Sequence, residues 1–160
     1  APLLTSPGAP PAPPAPPAPP RSLSTRLDNE DAAAFLALCA ADFNYCIEVD
    51  SPELRRTMVW LEHDLDGLGE LLTSIDDHLR RSGRLLRHLG ATVVLEDDDA
   101  CLRISTSFTV FHTALDGRTA LWAAGRYHDD IGTVDNGLRL LRRTVHLHTR
   151  DLGIGSHVPI

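Results

Sequence analysis

Apolar and polar residues alternate along most of the second half of the chain and recur at helical spacing in part of the first. Leu68, Leu71, Leu72, Ile75 and Leu79 fall every third or fourth position, the stripe of one helix face, and Gly83 marks the end of that helix. Beyond Gly83 the period falls to two. RLLRHLGATVVLE, CLRISTSFTVFHTAL, RTALWAAGRYHDDIG and LRLLRRTVHLHTR read as long antiparallel strands, parted by the acidic turn DDDA, by Asp116-Gly117 and by TVDNG. Gly90 and Gly125 sit inside two of these strands and mark bulges or bends. Upstream, Asn29, Glu30 and Asp31 place a cap and negative charge before AAAFLALCAADF, which reads as a first helix. DFNYCIEV reads as a short strand. Ser51-Pro52-Glu53 then reads as a second helix start, with the helix running through Met58 and Trp60. Three helices followed by four long strands predict an α+β fold: a curved antiparallel sheet, four long strands and a short one, packed on three N-terminal helices.

The middle hairpin poses a problem of coverage. A two-residue Asp116-Gly117 turn would pair Phe111 with Trp122 on one face, and His112 with Leu121 and Val110 with Ala123 on the other. Both faces are then apolar, and the helices can cover only one. Burying a large aromatic contributes about 1.5–3 kcal/mol, so an exposed Phe111–Trp122 pair would forfeit that and invite aggregation. Arg126, His128, Ser107 and Thr113 flank the pair, a mixture typical of protein interfaces. Phe111, Trp122, Arg126 and His128 are therefore the expected contact residues, with the tail from Asp151 to Ile160 as a second contact element. The competing explanation is that an extra helix or the chain's own C-terminal tail folds over this face.

Composition narrows the setting. The 160 residues suit one domain, but ten of the twelve prolines lie within the first twenty residues. Residues 1–27 are expected to form a Pro-rich tail with nothing to bury, a tether or a polyproline docking segment, and residues 28–160 the folded domain. The net charge is −7 and every basic residue is Arg, so a nucleic-acid partner is not expected. Cys39, Cys46 and Cys101 show no paired spacing and read as reduced, mostly buried thiols. With no apolar run of membrane length and no secretory signal pattern, the chain is expected in the cytoplasm.

Eight histidines invite a search for chemistry. His146 and His148 lie two apart on a strand and face the same way, but Arg142 and Arg150 share that face and oppose a cation, so no metal is expected there. His63-Asp64 and His128-Asp129-Asp130 are weak pairs, because neighbours on a strand point to opposite sides. No phosphate-binding Gly loop, nucleophile elbow, dinucleotide fingerprint or Cys/His pairs of a Rieske site occur, so no cofactor is expected in this chain.

The run SFTVFHTALDGRTALWAAGRYHDDI, followed by NGLRLLRRTVHLHTRDLGIGSHVPI, resembles the small (β) subunits of Rieske-type ring-hydroxylating oxygenases, nearest the small hydroxylase subunit of methanesulfonate monooxygenase. Arg87-His88 opening the first long strand fits the same pattern. The resemblance covers roughly residues 28–160 and implies a cone-shaped fold of the nuclear-transport-factor-like (SnoaL-like) type. It further implies a homotrimer of small subunits that supports catalytic large (α) subunits, which carry the Rieske cluster and iron. The small subunit would then be structural, part of an NAD(P)H-fed oxygenase without a catalytic centre of its own. The segment from Glu48 to Gly83 departs from the aromatic-ring enzymes, so the substrate class does not transfer. The same fold also hosts stand-alone dehydratases, isomerases and cyclases; on that alternative, Tyr45, His63, Asp64, His88 and His112 are the candidate cavity residues.

Overall fold

The computed structural model describes residues 25–29, 31–152 and Ile160, and the side chains of residues 75–82 lie outside that description. A helical turn α1 over residues 25–28 and α2 (Ala32–Leu36) precede β1 (Cys39–Ser51) and β2 (Arg56–Asp64). Helix α3 (Leu65–Ser82) leads to β3 (Arg84–Asp97), β4 (Cys101–Thr113), β5 (Thr119–Val134) and β6 (Gly137–Leu147). All six strands form one curved, unclosed sheet in the order β2-β1-β6-β5-β4-β3. The α+β class holds, as do the four strands after Gly83.

The N-terminal half differs from the sequence reading in three ways. The Asp31 carboxylate caps α2 by accepting from Ala34 N at 3.1 Å, yet the helix stops at Leu36 and the chain is extended from Cys39. The Ala-rich run has high helix propensity, but its second part is captured by the sheet: β1 lies parallel to β6, with Cys39 opposite Leu140 and Val49 opposite Leu147. The sheet is therefore mixed rather than wholly antiparallel. The helix expected after Ser51 is instead a tight turn and a strand. Leu54 N donates to Ser51 Oγ at 3.4 Å and Arg55 N to the Pro52 carbonyl at 3.3 Å, and the chain returns as β2. A hydroxyl–Pro–acid cluster serves a hairpin turn as well as a helix start.

Helix α3 forms where its apolar stripe predicts. Asp64 closes its first turn by accepting from Gly67 N at 2.8 Å, and Leu68 is fully buried. Gly83, at φ 118°, ends it in a conformation open to glycine. The concave face of the sheet carries Tyr45, Ile47 and Val49 of β1, Ile104, Phe108 and Val110 of β4, Tyr127 and Ile131 of β5, and Val145 and Leu147 of β6. These pack with Phe35, Phe43, Leu68 and Ile160 into one core. Asp28 fastens α1 to β3: its carboxylate accepts from Arg87 N at 3.2 Å and from Arg87 Nη1 at 2.7 Å.

The middle hairpin is closed by a three-residue loop, not a two-residue turn. Ala114 N donates to the Arg118 carbonyl at 2.8 Å, and Gly117 adopts φ 85°. The register at the tip therefore slips by one, to Thr113–Thr119, His112–Ala120 and Phe111–Leu121. An irregularity between Val110 and Phe111 leaves Trp122 as the extra residue and restores Val110–Ala123. Phe111 and Trp122 are thus not partners. The cross-strand row is Leu86–Phe111–Leu121, over β3, β4 and β5. Gly90 falls inside a register shift of β3, a bulge as expected, whereas at Gly125 the reason is close approach: a Cβ would collide with the His146 carbonyl.

Candidate functional site

Three surfaces could carry function: the interior of the cone, its outer face, and the two open edges of the sheet. The interior is polar at its centre but closed. Arg143 of β6 donates from Nε and Nη2 to the two carboxylate oxygens of Asp129 on β5, each at 2.8 Å, and both side chains are 0 % exposed. The Arg143 guanidinium lies 4.2 Å from the centroid of the Tyr127 ring, which stacks on Phe108 at 4.2 Å. Burial on its own would lower the Arg143 pKa, but the Asp129 carboxylate raises it instead, so the guanidinium stays charged. The Tyr45 hydroxyl accepts from Ile160 N at 2.8 Å and donates to the Ile160 carbonyl at 3.0 Å. Burial pushes both the Tyr45 and Tyr127 hydroxyls above their ordinary values, and pushes the Cys39 thiol up to about 12. Groups that could do acid–base work are sealed and held in unreactive forms.

The cavity candidates do not converge. Tyr45 is in the core, His63 is half-buried on β2, and Asp64 is exposed and occupied with the start of α3. His88 is exposed at the edge strand, with its ring edge-on to Phe111 at 5.2 Å, and His112 is half-buried near the hairpin tip.

On the outer face, Trp122 is half-buried and its Nε1 donates to the Leu152 carbonyl at 3.0 Å. The segment after β6 crosses β5 there: Ala124 N donates to Thr149 Oγ1 at 2.9 Å, and His148 N to the Ala124 carbonyl at 2.9 Å. The chain's own backbone thus covers part of the indole. Of the tail Asp151–Ile160, only Asp151, Leu152 and Ile160 are described, and the Pro-rich tail lies outside the described residues up to residue 24. Arg126 is exposed, with Nη1 3.3 Å from Ser105 Oγ, and the His128 ring lies parallel to that of His146, with centroids 6.3 Å apart. His146 stands between two carboxylates the sequence did not place beside it, Glu48 Oε1 at 3.1 Å and Asp50 Oδ2 at 3.2 Å. Among the described residues no group of three or more His, Cys, Asp or Glu side chains is placed to hold a metal ion. No described helix is long and apolar enough to cross a membrane.

The edges show what the sequence reading missed. Trp60, assigned there to a helix, is on edge strand β2 at a register shift and is 41 % exposed, more open than Trp122. TMVWLE, with its β-branched and aromatic residues, carried a strand signal that the Ser-Pro-Glu start overrode.

The open, curved mixed sheet packed on helices has the fold class of solved NTF2-like proteins. An NTF2-like protein with a cystatin-like fold from Novosphingobium aromaticivorans superposes with a TM-score of 0.61 at 17 % identity, covering 82 % of this chain and 78 % of that one. The β subunit of the benzoate 1,2-dioxygenase from Burkholderia mallei gives 0.66 at 12 % identity, covering 79 % and 84 %. Within that class, the family model described as ring hydroxylating beta subunit matches residues 24–152, and the chain belongs to this family. The β subunit of 2-aminobenzenesulfonate 2,3-dioxygenase from Alcaligenes sp. is 38 % identical over 134 residues, 84 % of this chain and 89 % of the relative. The β subunit of the methanesulfonate monooxygenase hydroxylase from Methylosulfonomonas methylovora is 33 % identical over 144 residues, 84 % and 79 %.

Proposed function

We propose that this chain is the structural small subunit of a multicomponent ring-hydroxylating oxygenase, assembling as a homotrimer with catalytic large subunits. The redox centres, a Rieske cluster and a mononuclear iron, belong on this reading to the large subunit. Family membership supports the assignment, and one observation favours a structural role over a cavity enzyme. The ionisable groups at the centre of the cone, Asp129, Arg143 and Tyr45, are paired with one another or with Ile160 and closed to solvent. A cavity dehydratase or isomerase needs such groups within reach of a substrate. The two curated relatives are named for an aromatic and an aliphatic sulfonate, which makes a sulfonate the substrate class to test first on the assembled enzyme.

Co-expression with the ring-hydroxylating large subunit of the same genome tests the reading. The expected result is a co-purifying complex that turns over a sulfonate only when both chains are present. A large subunit that neither binds this chain nor loses activity without it would refute the assignment.

A further inference from the structure

The segment after β6 covers only part of the sheet's outer face. It crosses β5 at Trp122 and Ala124, and the row beside it, toward the β3 edge, is open among the described residues. Leu86 of β3 is 50 % exposed and Leu121 of β5 is 59 % exposed, on either side of half-buried Phe111 of β4. The exposed His88 ring stands edge-on to Phe111 at 5.2 Å, so two aromatic rings form a corner beside the two leucines. Leu86, Phe111 and Leu121 make an uncharged strip over three neighbouring strands, about 10 Å wide at the usual strand spacing.

The chain enters the fold beside this strip. Asp28 accepts from the backbone N of Arg87, the residue between Leu86 and His88 on edge strand β3. Helix α1 begins at residue 25, about 4.5 Å from Asp28 along a helix axis. From there back to Pro20 an extended chain reaches up to about 17 Å. Residues 9–20, APPAPPAPPAPP, repeat every third residue, which is one turn of a polyproline II helix. At about 3.1 Å per residue such a rod is about 37 Å long, ample for a strip of that width. It carries no charge, and only its four alanines have a backbone N–H. It therefore suits an apolar strip through the faces of its rings and does not suit the sheet edge as an added strand. Trp60, the exposed tryptophan, stands on β2 at the far edge of the sheet, about 24 Å away across the strands, behind Arg55 and Arg56.

We propose that residues 9–20 turn back over the β3 edge and dock on the Leu86–Phe111–Leu121 strip of the same chain, with prolines seated in the corner of Phe111 and His88. Proline rings against aromatic and aliphatic side chains are how polyproline II segments are recognised. The repeat is extended before it docks, so little chain entropy is lost. The short tether keeps its effective concentration in about the millimolar range, so a contact too weak to join separate molecules forms within one. The two ends of the chain then share the outer face, one over Trp122 and the other over the strip beside it. Docking within the chain needs no partner and is independent of the oxygenase assignment.

NMR of the full chain, with labelled amides and leucine methyls, tests the docking. Ala12 and Ala15 supply amides inside the repeat. In the parent their heteronuclear NOE should be that of ordered backbone, and the Leu86 and Leu121 methyls should show NOEs to proline ring protons. Leu86→Ser with Leu121→Ser, both at exposed positions, should abolish that order, while Leu54→Ser on the far edge should leave it unchanged. Pro11→Ser, Pro14→Ser and Pro17→Ser change the repeat alone. Together they should raise the attenuation of the Leu86 and Leu121 methyl signals by a soluble nitroxide to that of exposed Leu54. Dilution by about tenfold should alter none of this, because the effective concentration is set by the tether. A parent whose Ala12 and Ala15 lack order, with Leu86 and Leu121 as open to the nitroxide as Leu54, would overturn the docking. So would shielding that survives the proline changes, or that falls on dilution and so belongs to a second copy. Shielding that arises only when the large subunit is added would overturn it as well, with that chain as the occupant.

Discussion

Asp129→Ala should be the most damaging single substitution at the centre of the cone. The parent carboxylate accepts two hydrogen bonds of 2.8 Å from Arg143, and neither side chain reaches solvent. A guanidinium does not give up its proton in a protein, so removing Asp129 strands a positive charge against Tyr127, Tyr45 and aliphatic neighbours. Breaking a buried pair on one side costs about 3–5 kcal/mol, far above the roughly 0–1 kcal/mol of a surface pair. At about 2–4 °C per kcal/mol for a domain of this size, the melting temperature should fall by about 6–20 °C. Urea unfolding followed by far-UV circular dichroism, at one protein concentration, measures the loss. A second arm separates stranded charge from lost packing. Asp129→Leu with Arg143→Met removes both charges, and the double variant should be more stable than Asp129→Leu alone. A loss below about 1 kcal/mol for Asp129→Ala, or a double variant less stable than Asp129→Leu, would mean that no buried charge is stranded at Arg143.

Two further outcomes follow from the periphery. Trp122→Phe keeps the aromatic surface but deletes the donor to the Leu152 carbonyl, so it should cost about 0.5–1.5 kcal/mol and speed amide exchange over residues 148–152; unchanged exchange would place the anchor of that segment elsewhere. The Glu53 carboxyl is held down to about 2, first by the Arg150 hydrogen bond and then by its own backbone amide. Its folded value lies below its unfolded one, so its contribution is present above about 4.3 and is lost as pH falls toward 2. An NMR titration should show that low midpoint, rising toward the ordinary glutamate value in Arg150→Ala.

The strands after Gly83 were legible because alternation, turn residues and length all pointed the same way over each of them. The parts that were not legible share a cause: non-local pairing overrode a local signal. Cys39 lies in an Ala-rich run with helix propensity, but a parallel partner a hundred residues downstream in sequence, β6, claims it opposite Leu140, and nothing near Cys39 announces it. Met58 to Trp60 had a strand composition, yet the hydroxyl, proline and acid before them satisfy helix and hairpin rules equally. The apolar outer face was foreseen, but its arrangement was not. A loop one residue longer than expected at Gly117 broke the Phe111–Trp122 pair and gave Leu121 to Phe111 instead. The ion pair of Asp129 and Arg143 needed the β5–β6 register, which the sequence suggests only as adjacency.

Ile160 touches Tyr45 across 115 positions of sequence, and its side chain is part of the core. A contact of that sequence separation is among the slowest to form, because the chain entropy of closing so long a loop must be met before the contact stabilises anything. The Tyr45 hydroxyl and the floor of the core therefore acquire this partner late in folding, and a probe at this position would report completion of the domain rather than its onset.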